Sequence, residues 1–162
     1  MTTPIIMLVL MTGPFLATRL SGALGLRRFD DQRAAVLGLG FLFVFTATGH
    51  FLQTEPMAAM LPSDVPARIL LVQITGVLEF AIAVGFFFPA TRRHAGWAAL
   101  VALILFFPAN VYAAVNRIPM GGHAWGPIYL LVRTPLQIAI MAWIYWFVVR
   151  RRNDVGASSG LA

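Results

Sequence analysis

Apolar residues run along this chain in long blocks separated by short polar breaks. A bilayer core needs about 20 apolar residues per helix, within a range of roughly 17–25. Four blocks reach that length: Ala34 to Leu52, Pro66 to Phe88, Ala95 to Asn116 and Pro127 to Val149. A fifth, Pro4 to Leu20, is shorter and carries Gly13-Pro14, where the missing proline donor predicts a kink. The pattern predicts an all-α fold, a polytopic transmembrane four-helix bundle plus one extra N-terminal helix. It makes one membrane domain over residues 1–162, with spans at about 4–20, 34–52, 66–88, 95–116 and 127–149 and a tail at 150–162.

The breaks hold the polar residues. Ser21 to Arg33 joins the first two spans, and Gln53 to Val65 joins the next two. Within the latter, the apolar stretch Met57 to Leu61 sits between Pro56 and Pro62, which suits either a short interfacial helix or an ordinary loop. Ala90 to His94 reads as a tight turn and Arg117 to Gly126 as a Gly-rich connection. Composition agrees with this pattern. Hydrophobic residues make up 59% of the chain and charged ones 11%, with a mean hydropathy of +0.81. Soluble domains carry roughly a quarter charged residues, so a soluble or disordered chain is excluded.

The net charge of +6 raises the question of a nucleic-acid partner, and the placement of the charge answers it. All twelve basic residues are Arg. If alternate connections share a side, nine fall on one side: Arg19, Arg27, Arg28, Arg33, Arg92, Arg93, Arg150, Arg151 and Arg152. Only Arg68 and Arg117 fall on the other, and Arg133 lies inside a span. Cytoplasmic loops collect Arg and Lys. The expected location is therefore the bacterial cytoplasmic (inner) membrane, with the N-terminus outside and the 150–162 tail cytoplasmic. The lipid bilayer is the partner this charge implies, and no nucleic acid is expected. A cleaved leader would need a positive n-region, which Met1 to Pro4 lacks, so the first helix is expected to be retained.

Polar groups inside apolar helices are expensive, which makes each a candidate site. Five stand out: His50, Glu79, Asn110, Arg133 and Gln137, with Gln73 and Thr75 as weaker members. At 1.5 Å per residue, Glu79 falls near the middle of its span, and the others fall in what would be the outer half. Arg133 and Gln137 share a face at i, i+4 spacing. A Glu79–Arg133 pair, bridged through Gln137, is the simplest way to satisfy both charges. One reading is a polar pocket, in which Arg133 and His50 grip an oxygen-bearing head group and Glu79 or His50, the candidate catalytic groups, move a proton. The other is an ion pair and hydrogen-bond network that sets helix register.

Other signals change little. His50, His94 and His123 have no metal-ligand spacing, so no metal is expected. The absence of Cys removes thiol redox chemistry from the chain itself. Ala95, Ala98, Ala99, Ala102, Ala109 and Ala113 form a small-residue stripe suited to close helix packing. Trp125, Tyr129, Trp143, Tyr145 and Trp146 sit toward the ends of the last span, as interface anchors do.

Six segments in order carry a family resemblance. They are Thr48-Gly49-His50-Phe51, Met60-Leu61-Pro62, Thr75-Gly76 with Leu78-Glu79, Pro89 to Arg93, Phe107 to Val111, and Arg133-Thr134-Pro135-Leu136-Gln137. Together they resemble the DoxX family of small bacterial membrane proteins, over about residues 34–149. The resemblance implies a four-helix core related to the small subunit of archaeal thiosulfate:quinone oxidoreductase. It suggests an accessory or ligand-binding subunit rather than a stand-alone enzyme, with quinone as a ligand and a redox partner subunit or a homo-oligomer as the assembly. Related proteins also include assembly factors. A stand-alone isomerase or lyase on a hydrophobic substrate is the alternative that Glu79 and His50 leave open. Intact-mass measurement of the purified protein should return the full chain; a loss of about 20 residues, the length of one span, would overturn the assigned topology.

Overall fold

The computed structural model describes residues 2–26 and 30–150. Arg27, Arg28, Arg151, Arg152 and the rest of the expected tail lie outside the described residues. The structure is all-α, with no strand among the described residues. Five helices are long and apolar enough to cross a membrane, which makes this a multi-pass membrane protein. They are α1 (Thr2–Ala23), α2 (Asp31–Leu52), α4 (Arg68–Phe87), α5 (Arg92–Val115) and a composite last span, His123–Val149. That last span is a 3-10 segment His123–Tyr129, then α6 (Leu130–Ile144), then a π-helical turn Tyr145–Val149. A short helix, α3 (Thr54–Ala58), follows α2 almost without a break.

The bundle is a ring in which α2 packs on α4, α4 on α5, α5 on α6, and the π-helical turn closes back onto α2. Helix α1 lies outside this ring, in the crease between α2 and α6. The core reflects that arrangement: Leu39, Leu42, Phe86, Ile140 and Ile144 fill the ring, and Met7 and Met11 of α1 complete it. Outward faces carry Ile5, Val9, Phe41, Leu70, Phe80, Ile104, Leu105 and Ile138, all exposed. A soluble domain would bury much of this apolar surface, whereas here the lipid takes that place.

The expected proline kink in α1 takes a more specific form. Helix α1 runs on through Pro14, which leaves the Leu10 carbonyl without its usual amide. Gly38 of α2 packs directly against this turn: a Cβ built there would fall on the Met11 carbonyl and 3.1 Å from the Leu10 oxygen. A bare backbone at Gly38 is what allows α1 to sit this close. The alanine stripe works as its spacing predicts, with Ala95, Ala99, Ala102 and Ala113 buried against neighbouring helices.

Two readings of the connections are revised. The short helix begins at Thr54, earlier than the Met57 to Leu61 stretch, because Pro56 is tolerated within a first turn. Among the aromatics, Trp125, Tyr145 and Trp146 are exposed as anchors should be. Tyr129, by contrast, is buried. Trp143 packs edge-on to Phe15 with ring centroids 5.4 Å apart, and its Nε1 donates to the Ala35 carbonyl at 3.4 Å. It joins α1, α2 and α6 instead of marking an interface.

Replacing Gly38 with Val should destabilise the detergent-solubilised protein by about 1–3 kcal/mol through overpacking. Gly13→Ala meets nothing within 4 Å and should leave the melting temperature unchanged or slightly raised. Thermal unfolding of the two variants side by side checks this; equal stability would remove the close α1–α2 approach.

Candidate functional site

The polar residues converge at the end of the bundle formed by the α2–α4 and α5–α6 connections, in two groups. In the first, the α2–α4 contact decides the geometry. Gly76 of α4 lies against α2, and a Cβ there would come within 2.6 Å of the His50 Cβ. That approach brings the His50 Nδ1 to 2.8 Å from the Val72 carbonyl and 3.1 Å from the Thr75 Oγ1. A carbonyl can only accept, so Nδ1 carries the proton and donates. Thr75 orients its hydroxyl by donating to the Leu71 and Val72 carbonyls, both at 2.9 Å.

The His50 Nε2 then faces the Glu79 Oε1 at 3.7 Å, longer than a hydrogen bond. Glu79 is 6% exposed, and its Oε2 has no hydrogen-bond partner among the described residues. Leaving a buried acceptor unpaired costs about 1–3 kcal/mol, and more if it is charged.

The second group surrounds Arg133. Its Nε donates to the Asn110 Oδ1 at 3.1 Å, and its Nη1 approaches the Met7 Sδ at 3.6 Å. Asn110 is itself clamped, with Nδ2 donating to the Phe106 carbonyl at 2.8 Å. Gln137 sits one turn below Arg133 and donates Nε2 to the Leu103 carbonyl at 2.8 Å. The expected Glu79–Arg133 pair does not form. Glu79 pairs with His50, and no carboxylate pairs with Arg133 among the described residues. The reason is geometric: α4 and α6 lie across the ring from each other, so Arg133 meets α5 and α1 first. Glu79 and Tyr129 remain within electrostatic range of the guanidinium. Phe106 touches both groups, its ring 6.2 Å from His50 and its carbonyl accepting from Asn110.

All five expected residues therefore belong to one half of the bundle, and Thr75 joins them. Gln73 does not, since it is exposed on the outer face of α4. Three contributors were not legible in the sequence. Met7 reaches the site only because α1 packs in the α2–α6 crease. Tyr129 and His123 form an edge-on ring pair 4.8 Å apart, both buried. His123 donates Nδ1 to the Met120 carbonyl at 2.7 Å, which leaves a buried Nε2 lone pair with no donor. It lies within electrostatic range of Arg133. The single sequence signal for this was the aromatic at Tyr129, six positions on and near the start of the last predicted span. No three His, Asp or Glu side chains among the described residues form a metal-holding group.

Residues 39–148 match a family described as a domain of unknown function (DUF8561), a stretch that starts within α2, runs into the π-helical turn and holds every site residue except Met7. No curated protein and no solved structure matches the chain.

The Arg133–Asn110 contact should be measurable as a coupling. A double-mutant cycle of Asn110→Ala with Arg133→Met is expected to show an interaction of about 1.5–3 kcal/mol, the range for a hydrogen bond to a charged group. Additive effects would mean that Asn110 does not hold the guanidinium.

Proposed function

The chain belongs to the DUF8561 family, whose description assigns no activity, and from its site we propose that it binds a lipid-soluble molecule with an oxygen-bearing head group, with quinone as the leading candidate. In this reading it is a DoxX-like accessory subunit of a membrane redox system in the bacterial inner membrane, with the site end and the N-terminus facing outward. The arginine asymmetry and the six DoxX-like segments support that placement.

One observation carries the ligand assignment: a buried carboxylate oxygen without a partner and a guanidinium without a carboxylate occupy the same end of one bundle. A purely architectural network would have joined them to each other. Kept apart, they offer a donor and an acceptor to a third group. Arg133 would donate to a head-group carbonyl, and the Glu79 Oε2 would accept from a head-group hydroxyl. The His50–Glu79 pair sets a base and an acid 3.7 Å apart, the two groups that would take up or release a proton as the ligand changes its own. The lack of Cys assigns thiol chemistry, where present, to a partner subunit.

The same His50–Glu79 pair favours a second reading, a stand-alone isomerase or lyase with these residues as acid and base. Variants separate the two. Arg133→Ala and His50→Ala, purified as folded proteins, should each bind a quinone analogue roughly tenfold or more weakly, as expected for losing a charged hydrogen bond. Unchanged affinity in both would remove the binding assignment. A Glu79→Gln protein that keeps its fold but loses turnover on a hydrophobic substrate would instead support the enzyme.

A further inference from the structure

The opposite end of the bundle holds a cavity of about 330 Å³, outside the polar site. Gln32, Arg92, Arg93 and His94 line it, with Phe147 and Val149 as apolar backing. Two contacts set its shape. Gln32 donates Nε2 to the Phe147 carbonyl at 3.0 Å, tying α2 to the π-helical turn. Arg92 donates Nε to the Phe86 carbonyl at 3.0 Å, which holds the guanidinium in place. Neither Nη of Arg92 has an acceptor among the described residues.

Charge at this end is one-sided. Arg33 lies within electrostatic range of Arg92, so two like charges are held near each other. Arg93 is on the cavity wall, and Arg150 stacks over the Trp146 ring at 4.3 Å. The acids nearby are already engaged. Asp31 pairs with Arg19 at 2.8 Å, and Asp30 accepts from the Arg33 amide at 3.1 Å while opposing part of the Arg92 charge. Positive loops alone account for arginines at a membrane surface, where long side chains spread outward into the head groups. They do not account for a guanidinium anchored by its Nε beside a head-group-sized cavity with apolar backing.

Arginine presents donors only, in a fork that matches two oxygens of a phosphate. Basic pockets between transmembrane helices hold anionic lipid head groups by this chemistry. We propose that this cavity binds a phosphate group through Arg92 and Arg93, supplied either by an anionic phospholipid head group or by free phosphate. Phe147 and Val149 then meet the apolar part of a lipid.

Native mass spectrometry of the full-length protein in neutral detergent tests this. The probes are short-chain phosphatidylglycerol, short-chain phosphatidylcholine and inorganic phosphate. Phosphatidylglycerol should be retained roughly tenfold better than phosphatidylcholine, and Arg93→Gln should weaken it roughly fivefold, in line with the strength of one arginine at an anionic surface. The Arg92→Gln/Arg93→Gln double variant should lose the preference, while Arg68→Gln at the other end should keep it. Retention of inorganic phosphate with the same variant sensitivity, and no gain from the lipid, would assign the site to free phosphate. Two results would overturn the proposal: equal retention of both lipids with no phosphate bound, or wild-type binding by folded Arg93→Gln and double-variant proteins. Arg93 is exposed and makes no hydrogen bond or ion pair among the described residues that the variant would break, which keeps the test independent of folding.

Discussion

Burying the Glu79 carboxylate among apolar helices is the constraint on which the arrangement of the site depends. A charge in the middle of a span costs a few kcal/mol and needs a nearby countercharge or a proton. His50 is the group that faces it, from 3.7 Å, and it can do so only because Gly76 lets α2 and α4 approach at that level. The Val72 carbonyl then fixes which imidazole nitrogen faces the acid. Glycine, backbone carbonyl, histidine and carboxylate thus form one chain of dependence across a single helix contact. A close helix approach and the most expensive side chain of the bundle occur together for that reason.

A second charge, Arg133, is satisfied by different means. Neutral acceptors hold it, the Asn110 amide oxygen and the Met7 sulfur, and neither cancels its charge. The two groups stay unpaired with each other at the same end of the bundle, with Phe106 in contact with both. A direct ion pair would have quenched both and left a structural strut. Separation leaves an unpaired acceptor on Glu79 and a cation held by neutral partners, the combination that a head group with both carbonyl and hydroxyl oxygens can complete.

The opposite end follows another logic. There the arginines outnumber the acids, and the cavity between α2, α5 and the π-helical turn has donors in its wall and apolar side chains behind them. One end of the molecule thus places an acid, an imidazole and a guanidinium inside the bundle, and the other gathers positive charge around a cavity at its rim. Short connections and long apolar helices permit this division, because the helices satisfy most of their own backbone groups and the side chains carry the chemistry.

Much of this was legible in residue order. Helix number followed from block length, since a bilayer sets a minimum of about 20 apolar residues. The five polar residues were visible as departures from apolar composition, and alternating helix direction brought them to one end. Pairing was not legible. Spacing suggested Glu79 with Arg133, but these sit on helices across the ring, and distance along a sequence carries no information about which faces meet. Nor could order reveal that α1 would place the Met7 sulfur beside Arg133, or that His123 would be buried in a connection rich in glycine. The sequence by itself determined what had to be buried and at what depth, because hydrophobicity and helical rise are local properties. Only the tertiary structure decided which charge met which partner, because that depends on where glycine lets two backbones touch.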